Sequence, residues 1–305
     1  RLTHAGGNHT INYSFITANN GDNVAHTNDS NAEVHVLYAK TQGVLGGALS
    51  GIATYTRDDS GIVTPDMNNW FTLGARQAGK LAGLDYRVEY YHQLGDAGTV
   101  ANASGYGITG ATTQGDSVDR DANMFGIRVG KKLGKGAITL WYDRLSGVDD
   151  DDQTGGDWGQ FDTMFDTGHK FYGFQDFYLA RNGAGTRYFG LQDIALKTKI
   201  SPRAGWTLKA DLHHFRTATD LTGGDADGII TTLTDAANRI NSAMDNDLGT
   251  EVDLTVVHKY DANTKIVVGY SHYFTTQTFG QLNGAGGRSS SSNDDSDRSE
   301  ERRVG

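Results

Sequence analysis

The segment Leu84-Asp85-Tyr86-Arg87-Val88-Glu89-Tyr90 puts Leu84, Tyr86, Val88 and Tyr90 on one face of an extended chain and Asp85, Arg87 and Glu89 on the other. The same period of two recurs in Val252, Leu254 and Val256 against Glu251, Asp253 and Thr255, and in Trp206, Leu208, Ala210 and Leu212 against Thr207, Lys209, Asp211 and His213. Phe125, Ile127 and Val129 oppose Gly126, Arg128 and Gly130. Helical periodicity is rare. About eleven alternating segments, each of roughly 10–13 residues, have the length of tilted membrane-crossing strands. They fall near 8–18, 33–42, 44–57, 69–80, 83–95, 120–133, 136–147, 188–200, 205–217, 250–260 and 263–275.

Alternation also suits one-sided sheets in water, so the connections decide. Short ones fall at Gln42-Gly43, Leu81-Ala82, Gly134-Lys135, Pro202-Arg203-Ala204 and Asp261-Ala262, and long ones run over 19–32, 58–68, 96–119, 148–187 and 218–249. Tight turns on one rim and long loops on the other describe an outer-membrane barrel. The expected fold is therefore all-β: a transmembrane antiparallel up-and-down β-barrel of the bacterial outer membrane, occupying 1–275. Pro65 and Pro202 both fall between strands, where neither interrupts a ladder. Trp70, Phe71, Tyr188, Phe189, Trp206, Tyr260 and Phe274, near strand ends, are expected in interfacial girdles.

Composition narrows the choice. Only 37% of the 305 residues are hydrophobic, too few for a large soluble core, while 41 glycines, 14 tyrosines and 2 prolines favour strands over helices. No apolar run reaches the roughly 18 residues of a membrane helix. The absence of cysteine excludes disulfide frameworks and thiolate metal sites, and it suits passage through an oxidising periplasm. A formal charge of −10 leaves no basic stripe for a nucleic acid.

After Thr275 the alternation stops, and 276–305 is expected to be a disordered tail. Its last eight residues, Arg298 to Gly305, look like the in-frame translation of a sequencing adapter. An odd strand count with a ragged end leads us to expect a fragment of a larger barrel.

Between two strands lies Phe161-Asp162-Thr163-Met164-Phe165-Asp166-Thr167-Gly168-His169-Lys170-Phe171-Tyr172-Gly173-Phe174-Gln175-Asp176-Phe177, followed by Gly190-Leu191-Gln192-Asp193 at the next strand's start. Both resemble signatures of the alginate-export family of outer-membrane proteins. The hairpin from Gly249-Thr250-Glu251-Val252-Asp253-Leu254 to Gly269-Tyr270-Ser271-His272-Tyr273 is similar to that family's late strands. The resemblance implies a barrel of roughly eighteen strands, about two-thirds of it here, with a charged lumen that passes an anionic polysaccharide. The family's lumen residues do not transfer one by one, and alginate is not implied as the solute.

The polar faces carry Arg76, Lys80, Arg87, Arg128, Lys197, Lys199, Lys209, Lys259 and Lys265 against Asp85, Glu89, Asp143, Asp193, Asp211, Glu251 and Asp253. Cations lining a pore concentrate anions, and interspersed carboxylates keep binding weak enough for release. The alternative is that they pair with one another and only stabilise a solvated wall. His169 and Lys170 are candidates for a loop folded into the pore as a constriction. The clusters Asp149-Asp150-Asp151-Asp152 and Asp225-Ala226-Asp227 offer oxygen ligands but lack the spacing of a calcium-binding loop, so no metal and no cofactor is expected. The segment 229–242 has the pattern of a short amphipathic helix capping a loop.

The expected function is a channel for passive passage of anionic solutes or polysaccharide. Expected partners are outer-membrane lipid and lipopolysaccharide, an anionic sugar or small anionic solute, and a periplasmic secretion complex. One alternative is a structural or adhesive barrel with a plugged lumen. A remoter one is a barrel-embedded hydrolase built from Ser271 with His213, His214 or His272, although no Gly-x-Ser-x-Gly elbow occurs.

Overall fold

The computed structural model describes residues 1–19, 31–58, 69–97, 118–149, 152, 157–164, 171–178, 186, 189–221, 245–283 and 296–304. Strands β1 (Leu2–Gly6), β2 (His9–Asn19), β3 (Asn31–Val44), β4 (Gly47–Asp58), β5 (Asn69–Leu81), β6 (Leu84–Asp96), β7 (Asp119–Leu133) and β8 (Gly136–Leu145) come first. The two-residue β9 (Asp157–Trp158) follows, then β10 (Leu191–Ile200), β11 (Trp206–Arg216), β12 (Asp247–Lys259), β13 (Lys265–Thr275), helix α1 (Gln277–Asn283) and β14 (Ser296–Val304). Apart from β9, which pairs in parallel with β7, each strand is hydrogen-bonded to its neighbour in sequence, and all those pairs are antiparallel. Every expected strand is present. Among the described residues no pairing joins β1 to β14, so the sheet is open between these two edges.

The period of two produces an inverted distribution of polarity. Leu140, Leu254, Val268 and Tyr270 are exposed on one face, while Glu89, Asp143, Asp193, Glu251 and Asp253 are buried on the other. A protein dissolved in water would be destabilised by this arrangement. A lipid-facing wall requires it, because apolar side chains meet acyl chains and the polar ones turn inward. On the outward face Phe15, His35, Tyr55 and Phe71 form a row across β2 to β5, with ring centroids 4.8, 6.0 and 5.0 Å apart. That row is a girdle at the long-loop rim.

Several expectations are corrected. The β3–β4 turn is Leu45-Gly46 rather than Gln42-Gly43. Leu45 and Gly46 both have positive φ (46° and 71°), the requirement of a type I′ hairpin turn. Gly43, with φ 88°, sits in the register shift between Gln42 and Val44, so it is a bulge glycine. Trp70 and Phe189 do not belong to a girdle: they are 1% and 2% exposed. Trp70 and Phe71 are neighbours on a strand, so only one can face lipid, and Phe71 does. Tyr188 and the segment 229–242 lie outside the described residues.

The stretch after Thr275 also differs from the expected tail. Thr276 Oγ1 accepts the peptide N–H of Phe279 at 3.2 Å, an N-cap that starts α1. Phe279 and Leu282, three residues apart on one helix face, join a buried apolar cluster. Further on, Ser296–Val304 pairs with β13.

Leu254, near the middle of β12 on the exposed face, tests the orientation. Leu254→Arg is expected to lower the unfolding free energy in lipid by about 2–4 kcal/mol, as charges at the bilayer midplane do. Urea titration in vesicles reads this directly, and an unchanged midpoint would mean that this face does not meet lipid.

Candidate functional site

The ladder sets which charges meet on the polar face. Glu89 lies opposite Gly126, Gly126 opposite Asp143, and Asp143 opposite Asp193. Gly126 is needed there, because a Cβ on it would lie 2.7 Å from an Asp143 oxygen and 3.1 Å from Glu89. Into that space comes Arg128. Its Nη2 is 3.1 Å from Asp143 Oδ2 and 3.4 Å from Glu89 Oε1, and its guanidinium lies 3.2 Å from the centroid of the Trp141 ring. Arg87 meets the other Glu89 oxygen at 2.5 Å.

A second group continues along β10 and β11. His213 Nδ1 lies 2.8 and 3.0 Å from the two Asp193 oxygens, its Nε2 is 2.9 Å from Lys197, and Lys197 is 3.1 Å from Asp211. The partners fit a ring that carries its proton on Nδ1, donating to Asp193 and accepting from Lys197. Charges enclosed in this way are tolerated because each is paired.

The remaining lysines sit near the short-turn rim. Lys80 pairs with Asp85 at 3.1 Å across the Ala82-Gly83 turn, and Arg76 is exposed opposite Glu89 in the ladder. Lys199 faces Lys209 directly, as Lys259 faces Lys265, and all four are exposed on the polar face. The wall is thus stratified, with lysines at the short-turn rim and carboxylates at mid-depth. Toward the long loops come the apolar Met124, Leu145, Leu191, Phe215 and Leu248.

The connection between β8 and β10 folds over this wall. Buried Gln93 donates to the carbonyl of Asp162 at 2.7 Å and accepts its N–H at 2.8 Å. Met164 Sδ lies 3.6–3.9 Å from the hydroxyls of Thr54, Thr56 and Thr72. At the other end, Glu251 Oε1 accepts the N–H groups of Phe174 and Gln175 at 2.5 and 2.9 Å and the Ser271 hydroxyl at 2.9 Å. Described residues of the connection therefore meet the polar face at β4, β5 and β6 at one end and at β12 at the other. Tyr172, Tyr178, Phe279 and Leu282 pack with the apolar upper wall, and the Tyr178 and Tyr273 hydroxyls hydrogen-bond each other. Burial raises the Tyr172 hydroxyl well above the ordinary tyrosine value. His169 and Lys170 lie outside the described residues, between the two anchored stretches.

Sequence reasoning missed Gln93 and Trp141 as wall residues and gave His213 and Ser271 only a hydrolase role. The parity of Trp141 with Asp143 was the available signal. Ser271 is bound to Glu251, His213 is held by Asp193 and Lys197, and His214 and His272 lie on the opposite face of the sheet. No serine–histidine pair is assembled among these residues.

On the outer rim, Asp121, Asn123, Arg144, Asp149, Asp152 and Asp220 help to line a polar cavity of about 450 Å³. Asp149 and Asp152 accept each other's peptide N–H groups at 3.0 and 3.1 Å. Burial pushes Asp152 up to about 7, with the Asp149 and Asp157 charges adding to the rise. Among the described residues no cluster suited to a metal ion occurs. Asp150, Asp151, Asp225 and Asp227 lie outside them.

A sequence-family model described as alginate export matches residues 21–291. No curated protein sequence matches the chain. Among solved structures, the NanC porin is similar over 87% of this chain and 87% of its own, at 8% identity and a TM-score of 0.33. OmpT, an outer membrane protein of Vibrio cholerae, is similar over 90% and 89%, at 10% identity and a TM-score of 0.35.

Asp143→Ala takes from the largely enclosed Arg128 the nearer of its two carboxylate partners, and we expect it to cost about 1–3 kcal/mol in the unfolding titration. An Asp143→Ala barrel as stable as the parent would show that the wall is hydrated enough to do without the pair. Asp152 gives a pH dependence. An acid whose native value is raised binds more protons folded than unfolded, so its contribution is full below the ordinary 3.8 and is lost as pH rises through about 7. Intrinsic-rate-corrected hydrogen exchange around Gly159 is expected to quicken over that window. The change should vanish in Asp152→Asn, and an unaltered pH profile in that variant would assign the effect elsewhere.

Proposed function

The chain belongs to the alginate export family, and from that premise we propose that this outer-membrane channel passes anionic polysaccharide, or smaller anionic solutes, passively. The observation that carries the reading is the facing of Lys199 by Lys209 and of Lys259 by Lys265 on four consecutive strands. Like charges directly opposite each other destabilise a ladder, so stability alone does not favour them. At a channel mouth the same lysines raise the local concentration of anions. In barrels of this class short turns face the periplasm, which puts the lysines where an exported polyanion enters. The paired carboxylates at mid-depth limit how tightly the polymer is held. A gradient, or a periplasmic secretion complex, supplies the drive.

The plugged-barrel reading has its own support in the apolar cluster that ties the β8–β10 connection and α1 to the upper wall. Conductance separates the two. In planar bilayers under a salt gradient, the parent is expected to show an anion-preferring reversal potential. Changing Lys199, Lys209, Lys259 and Lys265 together to Gln should move the potential most of the way to zero. A folded parent that carries no current would favour the plug. An anion preference untouched by the fourfold change would remove the lysine rim from the account.

A further inference from the structure

Trp206 and Arg216 stand at the two ends of β11, about 33 Å apart along the strand at the rise of an extended chain. At the tilt of a membrane barrel that length climbs about 25 Å, the height of the apolar band. The outward side chains between them are Leu208, Ala210, Leu212 and His214, and β10 sets Ile200, Thr198, Leu196 and Ile194 opposite these in turn. At the short-turn end Trp206 stacks on His258, with ring centroids 4.2 Å apart, and the Arg203 guanidinium lies 4.7 Å from the Trp206 centroid. That group is an interfacial girdle.

The other end of the band carries charge. Arg144, Gln192 and Arg216 stand side by side on β8, β10 and β11, in one cross-strand row on the outward face. A strand spacing of about 4.8 Å puts the two arginine backbones about 10 Å apart. Gln192 between them is engaged, accepting the Tyr142 hydroxyl at 3.0 Å and donating to the Thr217 carbonyl at 2.9 Å. Arg144 gives one of its five N–H donors to Asn123 at 3.3 Å, and Arg216 is exposed. Asp247, opposite Arg216 on β12, accepts the Gly249 N–H at 2.9 Å. Arginines on the lipid face are costly at mid-depth and tolerated near the interfaces, so this row marks the headgroup level of the outer leaflet.

The polar cavity of the outer rim adjoins the row. Arg144 is part of its lining, with Asp121 and Asn123 from the outward face of β7 and Asp220 from the segment after β11. Oxygen acceptors around a concave space suit the hydroxyl and amide donors of a sugar, and they disfavour a bare anion.

We propose that this row and cavity bind a phosphorylated glycolipid of the outer leaflet, with the chemistry of lipid A. Its acyl chains lie on the band that includes Leu140, Ile194 and Leu212, its phosphate monoester meets Arg144 and Arg216, and its amino-sugar ring enters the cavity. Guanidinium groups suit phosphate oxygens because they offer parallel hydrogen bonds in pairs. The site is on the lipid side of the wall, so it stands whether or not the lumen conducts.

The test is native mass spectrometry of the intact protein, folded into detergent micelles free of lipopolysaccharide and titrated with lipid A. Arg144→Gln and Arg216→Gln are each expected to weaken binding roughly tenfold, as loss of a charge-assisted hydrogen bond does. Arg203→Gln, at the opposite girdle, should leave it unchanged. Phosphatidic acid has the phosphate monoester and acyl chains without the sugar, and it should bind the parent more weakly than lipid A does. Inorganic phosphate at millimolar concentration should not displace the lipid. Heat-modifiable migration in gels confirms folding, and the exposed Arg216 keeps the test open if Arg144→Gln misfolds. Folded variants that hold lipid A as the parent does overturn the proposal. So does phosphatidic acid that binds as tightly as lipid A, or lipid A displaced by inorganic phosphate.

Discussion

Backbone hydrogen bonding within hydrocarbon is the constraint from which the rest of this structure follows. With no water at that depth, each peptide N–H and C=O has to be satisfied by a neighbouring strand. The long antiparallel ladders from β1 to β14 meet that demand across the sheet. Once strands are paired on both sides, the period of two leaves each side chain only two destinations. Leu254 is 45% exposed and the adjacent Asp253 is 2% exposed, a contrast that a one-residue slip in register would reverse.

Enclosing the second face creates the chemistry. Carboxylates brought opposite one another by the ladder, such as Asp143 and Asp193, need cations within reach, and Arg128 and the Lys197–His213 pair supply them. Gly126 makes room for that pairing, and Trp141 flanks it. Where the wall turns apolar near the long loops, it is covered by residues of the β8–β10 connection and of α1. Described residues of the same connection find polar partners lower down, at Gln93 and Glu251, so they both cover the upper wall and tie the connection to the polar face.

The strands were legible in the sequence because alternation is a local signal, and the elements expected near 83–95 and 120–133 are β6 and β7 within a residue or two. Tight turns were less legible. Gly43 is as good a turn residue as Gly46, and the choice between them depends on pairing with β4 rather than on composition. Aromatic placement failed where strand parity was not applied: Trp70 has to share a face with Thr72, which turns it inward beneath Arg120. The rim lysines and mid-wall carboxylates were named as a set, whereas their separation by depth required counting from each turn. An inward fold of the β8–β10 connection was expected only at His169 and Lys170, which lie outside the described residues, and its contacts with the wall were out of reach, since Glu251 and Phe174 meet across 77 residues of chain with no repeating pattern between them.

The claim that this wall encloses a path for anionic sugar is most directly tested by flux. Purified channel is reconstituted in vesicles, and entry of an oligouronate is compared with entry of a neutral oligosaccharide of equal length. The account predicts that the acidic sugar enters faster and that the difference shrinks at high salt, where the field of the rim lysines is screened. Equal entry of the two sugars at low salt, or entry of neither through a folded barrel, would contradict it.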